Sequence, residues 1–451
     1  LYDYQKRDVE FARNLSSVLN ANRMGYGKTV EGIAMIDMWQ AKRVLISCPK
    51  TIMYQWQAAI GEWLGRECIV LPKRIDARAP EMIVIVNHEH LANGTFEKKG
   101  KYKFFHPGPR LQQYLQFQWD VIICDEIHRI KNRDAKVTRA FEKLPAKRRV
   151  GLSGTPILNK PDDLFSILHW LGVKEAGNSY WGFVNEYCHS ELGPFGRSVK
   201  GLTHDLEKQK ALVDLLAPYT INNPDLRLPT IKRVNAVTLK MGSKQQTLYD
   251  NAKKLLLDEL PDNCTILNGM SKMIRLQQIT TEPQIFECPE SIKFSWIAEM
   301  CDDNPDIKLV VFSRFANAVQ LLKQYLNQRG ISCVAYTGDL DMTSRQAALA
   351  QFTSNPVQVL AGTIGALGTG VDGLQSVCHI GVFLDRDWSP ALNEQAEDRL
   401  YRIGQNDIVD IYVLQCVGSI DKYVGNINLQ KSEDIKKVLG VEDDDAACIS
   451  I

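Results

Sequence analysis

Residues 22–29 read NRMGYGKT, between a short apolar stretch (Val18, Leu19) and a helical pattern (Val30, Ile33, Ala34, Met38). The order strand, loop, helix suits a polyphosphate. Gly25 and Gly27 let the backbone curl so that successive N–H groups face the phosphates, and the helix N-terminus adds its positive end. Lys28 would neutralise the β- and γ-phosphates of ATP, and the Thr29 hydroxyl would hold Mg2+. By itself the segment reads equally as a glycine turn with an exposed lysine, because Asn22 stands where the full GxxxxGKT motif has its first glycine. Residues 119–128, WDVIICDEIH, give a buried strand ending in two adjacent carboxylates, and strand ends are where α/β sheets place ligands. Asp125 is placed to hold Mg2+ through water, Glu126 to orient and deprotonate an attacking water, and His128 to relay between lobes. A helix N-terminus decorated with acids is the plainer account of that fragment alone. Both motifs, in this order within one lobe, point to phosphoanhydride hydrolysis.

Such groups need a scaffold, and the hydrophobic pattern supplies one. Short β-branched runs recur at 44–48, 82–86, 119–124 and 150–152, and again at 308–312, 332–336, 357–361, 377–384 and 409–414. Their near-continuous apolar character is what a parallel sheet covered on both faces requires. The expected fold class is therefore α/β, with two lobes built on parallel sheets and helical insertions between them. The first lobe is expected over 1–158, helical insertions and an inter-lobe linker over 159–292, the second lobe over 293–430 and a C-terminal tail over 431–451. Within the middle stretch, 211–216 and 244–260 carry apolar residues three and four apart. Pro218, Pro224 and Pro229 punctuate it, and 222–228 reads as turn and linker with a hinge nearby. No residue-level repeat relates the lobes.

The 451 residues are 45% hydrophobic and 24% charged, an ordinary globular balance that excludes a disordered, collagenous or low-complexity chain. Lys+Arg 54 against Asp+Glu 53 leaves a formal charge of +1, so any polyanion must be met by local patches. No apolar run approaches the roughly 18 residues of a membrane span, so no membrane partner is expected. The eleven cysteines form no CxxC pair, and Cys48, Cys124, Cys333 and Cys378 sit inside apolar runs. That usage implies a reducing, intracellular compartment, cytoplasmic or nucleoid-associated. No basic-then-apolar leader is visible at Leu1, and the acidic residues 442–445 read as a frayed end.

With DEIHRIKN at 125–132 and GLSGTP at 151–156, the chain resembles the Swi/Snf-like ATPases of the DEAH-type superfamily-two helicases and translocases. The resemblance covers nearly the whole chain and implies two RecA-like lobes with ATP and Mg2+ between them. LYDYQ at 1–5 resembles the adenine-recognition motif, implying that Gln5 reads the base edge. The motif set further implies that Met24, Gly25, Tyr26, Gly27, Lys28 and Thr29 surround the nucleotide. SCPKTIMYQW at 47–56 and VNHEH at 86–90 resemble first-lobe motifs that touch a nucleic-acid backbone. MIRLQQI at 273–279 resembles the helix preceding the second lobe. There, VVFSRF at 310–315, GALGTGVDGL at 365–374 and QAEDRLYRIGQ at 395–405 follow in order, placing Gly368 and Asp372 beside the nucleotide. The last motif implies that Arg399 and Arg402 are arginine fingers for the γ-phosphate, a role worth about 10³ to 10⁵ in rate in other NTPases. For that segment alone, a helix whose Glu394, Glu397 and Asp398 pair with arginines at helical spacing is the alternative. The family usually has acidic residues before MGxGKT and a basic Arg-Arg-Lys-like run after the first lobe. This chain has Asn22 and Arg23, and Asn222, Asn223 and Pro224.

A motor of this design is expected to close its lobes on ATP and to step along double-stranded DNA, remodelling protein–DNA complexes or DNA structures. Candidate grips are Lys50, Thr51 and His88 in the first lobe and Arg314, Thr337, Gly338, Arg345 and Thr363 in the second. Backbone contacts carry no base code, so binding should be sequence-independent and salt-sensitive. KKGKYK at 98–103, followed by Phe104 and Phe105, is read as a solvated loop in preference to a base-stacking patch. A strand-separating or annealing helicase is the alternative enzyme, and a DNA-binding scaffold with a weakened ATP site the alternative without turnover. A partner protein on the DNA fits either motor. The lack of accessory reader domains suggests a bacterial or viral source.

Overall fold

A computed structural model describes every residue except 77, 101, 155–159, 194–195, 224–229, 259–265, 355, 369–370 and 439–451. The end of GLSGTP, the middle of GALGTGVDGL, most of the 222–228 turn and the acidic end lie outside the described residues. The chain divides into two compact units, Leu1–Leu226 with Lys431–Glu442, and Arg227–Gln430 with Asp443–Ile451.

In the first unit, the strands in chain order are β1 (Ser17–Asn20), β2 (Arg43–Cys48), β3 (Cys68–Val70), β4 (Met82–Asn87), β5 (Gly94–Lys99), β6 (Tyr102–Pro107), β7 (Trp119–Asp125), β8 (Ala146–Leu152), β9 (Cys188–Gly193), β10 (Gly196–Leu202) and β11 (Thr220–Ile221). Among the described residues, seven of them make one sheet in the order β11-β1-β8-β7-β2-β4-β3, every pairing parallel. The apolar runs work as read: alternation sends Val44, Ile46, Val121 and Ile123 into one core and Leu45, Ile122 and Cys124 into the other. Register then aligns the strand ends. Asn20 of β1 pairs with Leu152 of β8, and Leu152 with Asp125 of β7, so three strand ends stand side by side.

The second unit holds β12 (Lys232–Leu239), β13 (Leu309–Ser313), β14 (Cys333–Tyr336), β15 (Val359–Thr363), β16 (Ile380–Phe383) and β17 (Val409–Cys416). They form a parallel sheet in the order β12-β17-β16-β13-β15-β14. Its two faces are again filled by alternate residues, Leu309 and Val311 on one side, Val310 and Phe312 on the other. Two parallel α/β sheets are thus the fold, as the apolar runs predict.

The stretch 159–292 departs from its helical reading. It holds helices, including Leu206–Leu216 and Ser243–Asp258, but also β11, β12 and the antiparallel pair β9–β10. β12 is an edge strand with alternating half-burial, so it lacks the continuous apolar run that marks a central strand. The KKGKYK segment is a second departure. It is a β-hairpin of β5 and β6 rather than an irregular loop, with Phe96 paired to Phe105 and Lys98 to Lys103. The turn runs through Gly100 at φ +62°. Of the nine described cysteines all but Cys68 are buried, and none forms a disulfide.

Candidate functional site

The loop after β1 is held from three sides. Gly25 and Gly27 lie at φ +79° and +77°, where a side chain is strained, and a Cβ on Gly27 would also meet Gln5 Nε2 at 2.5 Å. Between them Tyr26 is buried, and its carbonyl accepts hydrogen bonds from the Tyr4 hydroxyl (2.7 Å) and Gln5 Nε2 (3.3 Å). Both residues come from α1 (Asp3–Ala12), where Gln5 Oε1 also accepts the Tyr2 N–H at 3.0 Å. From the third side, a Cβ on Gly154 would come within 2.8 Å of Met24 Cγ, so the residue after Ser153 is small because the loop passes over it. The helix α2 (Lys28–Met38) starts with Gly27 as its N-cap. The Lys28 ammonium donates to the backbone carbonyls of Asn22 (2.7 Å) and Arg23 (2.9 Å), so the lysine curls back under its own loop.

Two strands away, Asp125 closes β7, and the Trp56 indole N–H from α3 (Met53–Leu64) donates to Asp125 Oδ2 at 2.8 Å. The Glu126 N–H donates to Asp125 Oδ1 at 3.0 Å. Glu126 itself lies at φ +53°, left-handed for a non-glycine residue, and strain of that kind clusters where a side chain must be aimed. Its Oε2 stands 3.3 Å from His128 Nδ1, which is 3.4 Å from the Ser153 hydroxyl of the next strand end. Burial, and then the neighbouring Glu126 charge, push the Asp125 carboxyl up to about 7 against the pull of Trp56 and Lys28. A carboxylate whose charge burial and a like neighbour disfavour is one that a bound divalent cation would stabilise. Among the described residues no cluster of three or more His, Cys, Asp or Glu could hold a metal by protein ligands alone.

Gln5, Met24 to Thr29, Asp125 and Glu126 therefore gather at the ends of β1, β8 and β7. The second unit gathers its own set. Arg399 donates from Nε to the Gly368 carbonyl (3.0 Å) and from Nη1 to that of Val371 (3.0 Å), with a further bond from Nη2 to Gly368. Arg402 pairs with the exposed Asp372 at 3.0 Å. Two acids of this motif reach partners outside it. Glu397 is buried between Lys232 of β12 (2.8 Å) and Arg386, and Asp398 stands 3.6 Å from Lys232.

Of the candidate backbone grips, Lys50 and Gly338 are exposed, and Thr51, Arg314, Arg345 and Thr363 half-buried. His88 and Thr337 are interior. The Ser47 hydroxyl and His88 Nδ1 share a hydrogen bond of 2.8 Å, and His88 Nε2 has no partner among the described residues. Arg345 donates to the carbonyls of Thr337 (3.0 Å) and Gly338. Arg314 lies 3.4 Å from Asp387, while its backbone N–H donates to Asp385. Sequence reasoning assigns nothing to Trp56, although it ends the SCPKTIMYQW motif, nor to Asp8, Glu31 or Asn20, which line the base of the phosphate loop.

A glycine loop, an aspartate–glutamate pair at neighbouring strand ends and two parallel sheets define a nucleoside-triphosphate hydrolase of the helicase type. The sequence model of the SNF2-related domain matches residues 4–285, and that of the helicase conserved C-terminal domain matches 292–404. The chain belongs to the SNF2-related family and is an ATP hydrolase of the helicase and translocase class. It is 26% identical to the probable global transactivator of Orgyia pseudotsugata multicapsid polyhedrosis virus, over 97% of this chain and 91% of that protein. It is 23% identical to the DNA repair protein rhp54 of Schizosaccharomyces pombe, over 91% of this chain and 54% of that one. The DNA annealing helicase and endonuclease ZRANB3 of Bos taurus is 25% identical, over 96% of this chain and 40% of its own length. The Sulfolobus solfataricus SWI2/SNF2 ATPase core in complex with dsDNA is 20% identical, covers 98% of this chain and 97% of its own, and has a TM-score of 0.43. No helix among the described residues is long and apolar enough to cross a membrane.

Proposed function

We propose that this ATP hydrolase is stimulated by double-stranded DNA, translocates along it by backbone contacts without sequence preference, and so remodels protein–DNA complexes or DNA structures. The observation that carries the chemistry is the meeting of the glycine loop with Asp125 and Glu126 at the adjacent ends of β1, β8 and β7. In this reading the loop N–H groups and the start of α2 face the polyphosphate, and Lys28 exchanges the carbonyls of Asn22 and Arg23 for phosphate oxygens. Met24, Tyr26 and the glycines shape the loop, and Gln5 sets it through the Tyr26 carbonyl, beside its proposed reading of the base edge. Thr29 and Asp125 are the residues that would hold Mg2+, which when bound supplies positive charge to the phosphates. Glu126 holds the attacking water and takes its proton, with His128 and Ser153 fixing the carboxylate's direction.

In the second unit, Arg399 and Arg402 are the proposed fingers, and Gly368 and Asp372 belong to the loop they brace. Lys50, Thr51, Arg314, Gly338, Arg345 and Thr363 are the proposed contacts to DNA phosphates, while the interior His88 and Thr337 support them from beneath.

The deciding experiment is phosphate release measured in parallel with duplex DNA, single-stranded DNA and RNA. Duplex should stimulate most, and Glu126→Gln should bind ATP while losing at least about a thousandfold in turnover. Equal rates with and without duplex would remove the DNA assignment, and normal turnover of the glutamine variant would remove the site. The relative named as an annealing helicase supports adding a forked substrate, on which strand separation or annealing is the competing outcome.

A further inference from the structure

Beneath the glycine loop, polar side chains from four separate segments meet where the apolar core would otherwise continue. They are Asp8 of α1, Asn20 at the end of β1 and Asn22 at the start of the loop, Glu31 of α2, and Asn223 just after β11. The first four are no more than 6% exposed. Asn22 Nδ2 donates to Asp8 Oδ2 at 2.8 Å, with longer contacts to Glu31 Oε1 (3.5 Å) and Oε2 (3.4 Å). Asn22 Oδ1 accepts the Asn223 backbone N–H at 3.0 Å and Asn223 Nδ2 at 2.9 Å. Asn223 Nδ2 also reaches Asp8 Oδ2 at 2.8 Å and Oδ1 at 3.1 Å. Asn20 Nδ2 donates to Glu31, and its Oδ1 accepts the Asn22 N–H at 3.1 Å.

The direction of the Asn22 amide is forced by its surroundings. Its NH2 faces two carboxylates and its oxygen faces two N–H donors, so the reversed amide would set like against like on both sides. An aspartate at this position would add a third buried carboxylate to Asp8 and Glu31. This accounts for Asn22 in a loop where acids are usual.

The same residue has a second attachment. The backbone carbonyl of Asn22 is the nearer acceptor of the Lys28 ammonium, at 2.7 Å. Whatever fixes Asn22 therefore fixes the place from which the lysine must depart. We propose that Asn223 is a positioning residue for ATP binding: with Asn22 it forms an uncharged latch that ties the phosphate loop to the segment leaving the last strand of the first sheet. The proposal rests on the reading of Lys28 as the phosphate-binding lysine. Without the Asn223 side chain, Asn22 Oδ1 keeps the backbone N–H of residue 223 but loses the amide donor, Asp8 loses the same donor, and the carbonyl under Lys28 is held less firmly.

The test measures binding of a fluorescent ATP analogue with Mg2+ and steady-state hydrolysis on the full chain, with thermal unfolding as the folding control. Asn223→Ala should weaken analogue binding and raise KM for ATP about tenfold, the effect of a lost hydrogen bond to a charged group, with kcat kept within about twofold. Asn22→Asp should weaken binding at least as much. Adding Asn223→Arg to that variant supplies a cation beside Asp8 and the new carboxylate and should return affinity to within about threefold of the parent. Lys28→Ala is the reference and should abolish binding. Parent-like affinity in Asn223→Ala beside a defective Lys28→Ala overturns the latch and leaves the phosphate-loop reading standing. No recovery in the double variant relative to Asn22→Asp overturns it even if Asn223→Ala fails to fold. Parent-like affinity in Lys28→Ala removes the reading and the latch together.

Discussion

Arg399 and Arg402 lie three residues apart in one motif and hold different things. The Arg399 guanidinium is bonded to the carbonyls of Gly368 and Val371, charge-assisted contacts that fix a loop in the interior of the second unit. Arg402 pairs with Asp372, which is exposed and contributes at most about 1 kcal/mol to folding. Replacing either by alanine should lower turnover by a factor of at least about 10³ if both reach the nucleotide. Only Arg399→Ala should also destabilise, by about 2 kcal/mol, or roughly 5 °C in melting temperature, while Arg402→Ala melts within about 2 °C of the parent. Thermal unfolding beside ATP turnover separates the two, and equal melting shifts would contradict the assignment. The motif that carries them is legible because its spacing is local. Their partners are not. Glu397 looked suited to an arginine one turn away, yet it meets Lys232, whose strand lies more than a hundred residues earlier in the chain. In the same way Asn22 and Asn223 stood out singly as departures, and only the register of β1 with β11 brings them to one place.

At the scale of elements, central strands were readable because a buried parallel strand writes itself as an unbroken apolar run, and β2, β4, β7 and β13 fall within a residue or two of their expected limits. Edge strands and hairpins alternate polar and apolar, so β12 and the pairs β5–β6 and β9–β10 were lost among helical and loop signals. The packing of these elements makes a prediction about acid. His88 follows β4 and is enclosed, and burial, helped by Arg129, pulls its imidazole down to about 4. Between about 6.5 and 4 the unfolded chain binds a proton there that the native protein refuses, so this stabilisation is present above pH 6.5 and is lost as pH falls to 4, up to about 3 kcal/mol. Glu397 adds a later loss. Burial opposes its charge, but Lys232 and Arg386 overcome that and hold it at about 2, so its contribution fades as pH falls below about 4.5. Asp125 and Glu31, each pushed up to about 7 chiefly by burial, act in the opposite sense, so the readable quantity is a difference between proteins. Denaturant unfolding of the parent and His88→Gln should differ by an amount that shrinks steadily from pH 7 to pH 4. A constant difference would mean that His88 does not titrate inside the fold.

For the whole molecule, the near balance of 54 basic and 53 acidic side chains means that no global field draws in a polyanion, and affinity must come from a few placed cations. The proposed grip therefore has a measurable signature. Log affinity for duplex DNA should fall linearly with log salt, with a slope of about 0.9 for each phosphate neutralised. Lys50→Ala, Arg314→Ala and Arg345→Ala should each reduce that slope by about one, while the affinity ratio between unrelated duplex sequences stays near unity. The hairpin supplies the control. Its Lys103 lies 4.0 Å above the Phe96 ring, and Lys99 pairs with Glu97 at 3.2 Å, so part of its positive charge is already engaged within the hairpin. Lys98→Ala with Lys103→Ala should then leave the slope where it was. Fluorescence titrations from about 50 to 200 mM salt decide the matter. Slopes unchanged in the three grip variants but reduced in the hairpin variant would move the DNA from the strand ends to the hairpin. With it would go the idea that the residues contacting DNA are the ones standing at the carboxyl ends of both sheets, close in sequence to the motifs that handle ATP.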